Sequence, residues 1–253
     1  MASWEQAVKK FLKKYSHNKN ILGAMLIGSY AVNNYKVNSD IDLQLITSDD
    51  VKSERGIVVI DNYLIDYYIN TLDQLVKMME RDYDNGEITR ANAFKGGRIL
   101  FGNSSAMAEL KERAETYLTK ELRPLSKVEL STKKYNLWRT YIYLFDNHDN
   151  HLFSYYFIYY NLLRDIMILY YEYYQIPRVD ILKLEKIYTD KTYRERYNIT
   201  KMPSQEYIKL FLNCLTNASI KIMNDNITKL YDLVQAETGG FKIENFKVKG
   251  ELL

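Results

Sequence analysis

"LIGSYAVNNYKVNSDIDLQLI", residues 26–46, holds two apolar runs separated by a polar spacer. The first run ends in Gly28-Ser29, and ten residues on Ser39-Asp40 and Asp42 stand at the head of the second. Neither pair means much alone. An isolated Asp40 reads as a turn or cap residue, and an isolated Asp42 as a solvent-facing strand residue. In a strand, however, side chains at i and i+2 share a face, roughly 7 Å apart. Asp40 and Asp42 therefore point one way, while Ile41 and Leu43 point to the buried side.

A third carboxylate joins them. "GIVVIDNYLIDYYIN", residues 56–70, reads as two β-rich runs around Asp61-Asn62, a two-residue hairpin signal. Asp61 itself is turn chemistry, whereas Asp66 sits within the second strand between Ile65 and Tyr67. Three carboxylates on one sheet face repel one another unless a cation lies among them. Hard oxygen ligands of this kind suit Mg²⁺, with Mn²⁺ the alternative, rather than zinc. Two such ions about 4 Å apart would clamp the attacking and leaving oxygens in transfer to phosphorus. At the strand-to-helix turn, Gly28 lets the backbone approach a ligand, and Ser29 is expected to cap a helix whose end attracts phosphate. The spacing fits a nucleotide–metal site.

"GSYAVNNYKVNSDIDLQL" followed by "YLIDYYI" resembles the nucleotidyltransferase superfamily that includes DNA polymerase β. In layout it is most similar to the kanamycin-type antibiotic nucleotidyltransferases, and the likeness covers roughly residues 20 to 120. The resemblance implies that Asp40 and Asp42 bind both metal ions and that Asp66 completes the second site near the acceptor hydroxyl. It implies that Gly28 and Ser29 hold the β- and γ-phosphates, with Ser39 also at the nucleotide. Arg98, in "FKGGRIL", is a further candidate there, Lys95 and Lys36 weaker ones; solvated loop positions are the plain alternative. The implied chemistry is in-line attack of a hydroxyl on the α-phosphorus with release of pyrophosphate, by positioning and charge neutralisation. Kanamycin-type enzymes place a glutamate base on the first helix of the second domain. Glu129 is the only acid of that helix here and stands slightly off the expected place, so Glu129, Asp66 or another acid takes the role.

The rest of the chain sets bounds. The 253 residues suffice for a substantial core. A formal charge of +3 and pI near 8.6 are compatible with an anionic small substrate and too weak a bias to argue for a nucleic-acid binder. The 24 tyrosines are attributed to coding bias. Cys214, the only cysteine, rules out an intrachain disulfide and reads as a core residue. The sequons at Asn103, Asn198, Asn217 and Asn226 carry no meaning in a non-secreted protein. No secretory leader is read at the N-terminus, so the expected location is cytoplasmic. Residues 151–176 are long and apolar, but Arg164, Asp165 and Glu172 favour a buried helix over a bilayer span.

Elements alternate in type up to Pro124: a helix at about 3–17, strands, a helix after Thr71, a loop entering a short strand near Arg98, and a helix at about 105–119. Beyond Pro124, helical periodicity covers about 127–147, 151–175, 178–188 and 204–235. The expected fold class is α/β (α+β): a nucleotidyltransferase-type mixed sheet with flanking helices at 1–124, then an all-helical, substrate-binding bundle at 125–253. Phe153, Phe157, Leu162, Ile166 and Leu169 are assigned to that bundle's core. Arg164-Asp165 reads as a buried structural ion pair, with a place lining the acceptor pocket as the alternative. His148 and His151 with Asp146 and Asp149 signal nothing specific as a metal site.

The expected reaction moves a nucleoside monophosphate from an NTP, ATP first among them, to a hydroxyl of a small acceptor such as an aminoglycoside or lincosamide. That acceptor would lie between the sheet and the later helices, with Glu129, Asp146, Asp149 and Glu172 available to a cationic one. No membrane or nucleic-acid partner is expected, and a homodimer is compatible. The rival readings are a toxin-type enzyme acting on protein or tRNA, and a non-catalytic nucleotide-binding scaffold.

Overall fold

The computed structural model describes residues 3–15, 17–48, 53–102, 104–146, 152–216, 218–244 and 246–248. His148, Asp149, His151 and the sequons at Asn103 and Asn217 lie outside the described residues. Contacts divide the chain into two compact units, residues 1–120 with 192–199, and residues 121–191 with 200–253.

In the first unit, α1 (Trp4–Lys13) turns Ala7, Val8 and Phe11 inward. The chain then enters β1 (Ile21–Ile27), a short helical turn α2 (Gly28–Ala31) and β2 (Ile41–Thr47). β3 (Glu54–Ile60) and β4 (Tyr63–Asn70) form the expected hairpin. Asp61 and Asn62 both take positive φ, 51° and 69°, as the two central residues of a type I′ turn must. Lys10 Nζ adds an ion pair to the Asp61 carboxylate at 2.6 Å.

Thr71 then caps α3 (Leu72–Asp84) by accepting from the Gln74 amide. The expected loop before the last strand is instead a helix, α4 (Thr89–Gly96), because Ala91 and Phe94 have a core to fill. β5 (Arg98–Gly102) and α5 (Ser104–Thr119) follow.

The five strands lie in the order β3-β4-β2-β1-β5. β2 and β4 run parallel, and the other neighbours antiparallel. One face packs Leu26, Ile41, Leu43, Leu45 and Ile65 against α1. On the other, Met25 and Ile46 pack with side chains of α3, α4 and α5. Ile57, Val59 and Leu64 stay exposed. They share a face with Asp66, because Ile57 pairs with Asp66 and Val59 with Leu64.

The second unit is helical: α6 (Lys127–Asp146), α7 (Leu152–Tyr173), a 3₁₀ turn (Ile181–Lys183), α8 (Leu184–Thr189), α10 (Gln205–Cys214) and α11 (Ile220–Glu237). Between α8 and α10 in the chain comes an unexpected short helix, α9 (Lys191–Arg196), which from Thr192 on belongs to the first unit. The single helix expected over 204–235 is broken, and Ser219 caps a fresh start by accepting from the Ile222 amide. Among the described residues, no helix is long and apolar enough to cross a membrane.

α7 corrects two readings. Leu162, Ile166 and Leu169 are buried as expected, but Phe153 and Phe157 are 84% and 66% exposed. The helical period is kept while the apolar stripe is wider than the buried one. Arg164 and Asp165 pair with each other at the surface rather than in the core. The tyrosines, by contrast, build this unit's interior. Tyr170 and Tyr207 stack at 3.9 Å, and the Tyr159 hydroxyl donates to the Cys214 carbonyl at 2.9 Å. Cys214 is buried, as read from the sequence.

Removing a buried side chain from α7 costs far more than removing an exposed one. Leu162→Ala should lose about 2–5 kcal/mol in urea unfolding, whereas Phe153→Ala should stay within about 0.5 kcal/mol of wild type.

Candidate active site

The parallel register of β2 and β4 sets Asp42 opposite Asp66. Asp40 precedes β2 by one residue and projects toward the same face. Ligand oxygens of Asp40, Asp42 and Asp66 all lie within 4.8 Å of one another. Burial deepens from Asp40 through Asp42 to Asp66, which is 3% exposed.

Their environments differ in kind. Burial pushes the Asp42 carboxyl up to about 7, and the charges of Asp40 and then Asp66 push the same way against a smaller opposing pull from Arg55. Asp66 is also penalised by burial, but hydrogen bonds from Arg55 and Tyr68 outweigh this and hold its carboxyl below the usual range. Arg55 Nε donates to Asp66 Oδ1 at 3.1 Å, Arg55 Nη2 to Oδ2 at 2.6 Å, and the Tyr68 hydroxyl to Oδ2 at 2.8 Å. The Arg55 guanidinium lies 5.1 Å from the centroid of the Tyr68 ring. Sequence reasoning passed over both Arg55 and Tyr68. Below them the same face continues polar and buried, with Gln44 Nε2 donating to Asn70 Oδ1 at 3.1 Å.

Gly28 takes φ +68°, and a Cβ there would overlap the Asp42 carboxylate. The residue must be glycine for two separate reasons, backbone hand and space. Ser29 does not cap the helix. Ile27 holds the cap position with no side-chain hydrogen bond, and Ser29 lies inside the single turn because the chain turns at Gly28. Ser39 shapes the spacer, its Oγ accepting from the Lys36 amide at 2.8 Å. Arg98 Nη2 donates to the Tyr30 carbonyl at 3.1 Å, and its guanidinium lies 5.4 Å from the centroid of the Trp4 ring. Lys95 is engaged in an ion pair with Glu115.

In the second unit, Glu129 belongs to the start of α6. Its carboxylate accepts from the Ser126 amide at 2.8 Å while Ser126 Oγ accepts from the Glu129 amide, a capping box. Arg123 Nη1 and Nη2 donate to the same carboxylate at 2.8 and 2.6 Å. The Arg123 bonds first, then those from Ser126, hold this carboxyl far below the usual range. Glu172 pairs with Lys133 at 2.8 Å.

A mixed five-stranded sheet with flanking helices and three carboxylates on one face defines a nucleotidyltransferase-like fold. Residues 6–106 match the family model described as polymerase beta, nucleotidyltransferase. No curated protein sequence matches the chain. Among solved structures, a nucleotidyltransferase-like protein from Exiguobacterium sibiricum 255-15 is similar at 14% identity, covering 94% of this chain and 77% of that one with a TM-score of 0.45. A spectinomycin adenyltransferase AAD(9) from Enterococcus faecialis, solved with ATP and spectinomycin, is similar at 15% identity. It covers 92% of this chain and 99% of that one, with a TM-score of 0.33.

Two outcomes follow from the carboxylate geometry. A carboxyl that holds its proton more tightly folded than unfolded favours the folded state at low pH. For Asp42 that contribution is complete below its ordinary value near 3.8 and is lost as pH rises through about 7. In chelator, Asp42→Asn should therefore melt roughly 3–6 °C above wild type at pH 8, with the gap closing toward pH 4. Gly28→Ala should lose about 1–3 kcal/mol in urea unfolding, and Mn²⁺ titration should show weakened binding because the new methyl displaces the Asp42 carboxylate.

Proposed function

We propose that this chain is a divalent-cation-dependent nucleotidyltransferase that moves a nucleoside monophosphate from an NTP, ATP first among them, to a hydroxyl of a small acceptor in the cytoplasm. The observation that carries this reading is the convergence of Asp40, Asp42 and Asp66 within 4.8 Å beside the left-handed Gly28. Three close carboxylates, one of them with its proton affinity raised by burial and its neighbours, form a donor set that fits Mg²⁺ or Mn²⁺. When bound, two such ions would supply Lewis-acid stabilisation of charge on the transferring phosphoryl group.

The chain's own residues divide the remaining work. Asp40 and Asp42 hold the cations, and Asp66 completes the set. Gly28 keeps the backbone open beside Asp42, and with Ser29 and Ser39 it lines the phosphate end. Arg98 pairs with Leu26 and its side chain lies on the α1 side of the sheet, held by the Tyr30 carbonyl and the Trp4 ring, so it is not assigned to that end. In the transfer, the acceptor oxygen bonds to the α-phosphorus as the bond to the β-phosphate bridging oxygen breaks. Pyrophosphate leaves, and the hydroxyl proton passes to a base. Glu129 is a poor base, since its capping box and Arg123 pair hold it ionised and occupied. Asp66, the other candidate, is held in the same way by Arg55 and Tyr68 and becomes available to the proton only when that grip opens.

The acceptor we favour is an antibiotic of the aminoglycoside or lincosamide kind, held by the helical unit over 125–253. Of the acids available to a cationic acceptor, Glu129 and Glu172 are already paired with Arg123 and Lys133, which leaves Asp146 as the described acid for its amines.

Pyrophosphate release measured with each NTP, Mg²⁺ or Mn²⁺, and a panel of lincosamides, aminoglycosides and tRNA tests the reading. Release should require a divalent cation and one small acceptor, and should fall at least about a hundredfold in Asp42→Asn. Transfer to tRNA or protein alone would replace the acceptor assignment. Absence of any nucleotide binding would overturn the site itself.

A further inference from the structure

The carboxylate cluster already contains a cation of its own. Arg55 lies on β3, an edge strand of the sheet, with its side chain 62% exposed. Its guanidinium grips Asp66 through both carboxylate oxygens, at 3.1 and 2.6 Å, and lies against the Tyr68 ring. The Tyr68 hydroxyl donates to Oδ2 as well. Each oxygen of Asp66 thus faces at least one donor hydrogen. A divalent cation at Asp66 needs electron pairs on those same oxygens and would meet the positive guanidinium beside it. Among the described residues, Asp40 and Asp42 are not gripped in this way. Arg55 acts on Asp42 only through its charge.

On the proposed reading of the trio as a cation site, we infer that Arg55 is a resident competitor for the third carboxylate. It is a positioning residue that withholds Asp66 from a cation until the guanidinium moves aside. Asp40 and Asp42 remain open to the first ion, so occupancy of the cluster is stepwise rather than simultaneous. An exposed side chain on an edge strand can leave without disturbing the core. In the opposite face of the hairpin, Glu54 is engaged by the Tyr67 hydroxyl at 3.0 Å, and the β3 neighbour on Arg55's own face, Ile57, offers no carboxylate. The displaced guanidinium is then free for an incoming anion, which the phosphates of an NTP would supply.

A second role would give the opposite sign. A residue that merely orients a metal ligand strengthens binding, and its loss typically weakens affinity by roughly ten to a hundredfold. Loss of a competitor strengthens it. Mn²⁺ titration followed by electron paramagnetic resonance, on the full chain without nucleotide, separates the two. Arg55→Gln should bind Mn²⁺ roughly tenfold more tightly than wild type. Adding Asp66→Asn to that variant should abolish the gain, and Arg55→Lys, which cannot make the two-pronged contact, should fall between. In chelator Arg55→Gln should melt below wild type, and Mn²⁺ should raise its melting temperature by a larger increment.

Unchanged or weaker Mn²⁺ binding in Arg55→Gln would overturn the inference. Should that variant not fold, Arg55→Lys carries the same test, with weaker or equal binding again counting against it. Wild-type protein whose Mn²⁺ binding is absent, or is untouched by Asp42→Asn, would instead remove the cation reading of the trio and the inference with it.

Discussion

The repulsion among Asp40, Asp42 and Asp66 is the constraint on which the rest of this unit's design turns. Carboxylate oxygens within 4.8 Å of one another, at sites that become progressively more buried, are costly in the absence of compensation. The fold provides only part of it. Arg55 and Tyr68 satisfy Asp66, while Asp42 keeps a raised proton affinity. A cluster left in that condition favours binding positive charge, and the free energy for doing so is stored by the sheet that holds the strands in register.

That sheet is rigid where it must be. Its back face packs Ile41, Leu43 and Ile65 against α1, and these alternate with Asp42 and flank Asp66 along β2 and β4. The same period of two residues that packs the apolar set against α1 sends the acids to the opposite face. A slip of one residue between the strands would turn the carboxylates into the α1-side core and the apolar set away from it, so the hydrophobic pattern protects the site's geometry. Gly28 completes the arrangement. Its left-handed backbone leaves room for the Asp42 carboxylate, which no side chain at that position would allow.

The helical unit shows how partner-dependent a sequence pattern is. Phe153 and Phe157 share the helical period of Leu162 and Ile166 yet remain exposed, because periodicity marks a face without saying how far its neighbours extend over it. The tyrosines are the converse case. Their abundance carries no message by itself, yet packed together they stack rings such as Tyr170 and Tyr207, while the Tyr170 hydroxyl donates to Ser204 and the Tyr159 hydroxyl to the Cys214 carbonyl. Glu129 reads as a free acid on a helix until Ser126 and Arg123 are seen to claim it. Ser126 is near in sequence and the capping box was open to being read, whereas the grip of Arg123 depends on how the chain bends through Pro124.

By itself the sequence determined the strands of the first unit, the hairpin at Asp61-Asn62, the cap at Thr71 and the identity of the three acids, because each rests on local chemistry: alternation, turn propensity, capping. The two-residue turn even fixes the β3–β4 register that pairs Arg55 with Tyr68, one diagonal step from Asp66. The helix α4, the break before Ser219 and the failure of Ser29 to cap lay outside that reach, since each depends on what a segment packs against or where the chain must turn. Only the tertiary structure decided that β2 and β4 run side by side and parallel, and so that Asp42 faces Asp66 with Arg55 already in place. Pairing between strands so far apart in the chain is chosen by the burial of a whole face, which no short stretch of sequence encodes.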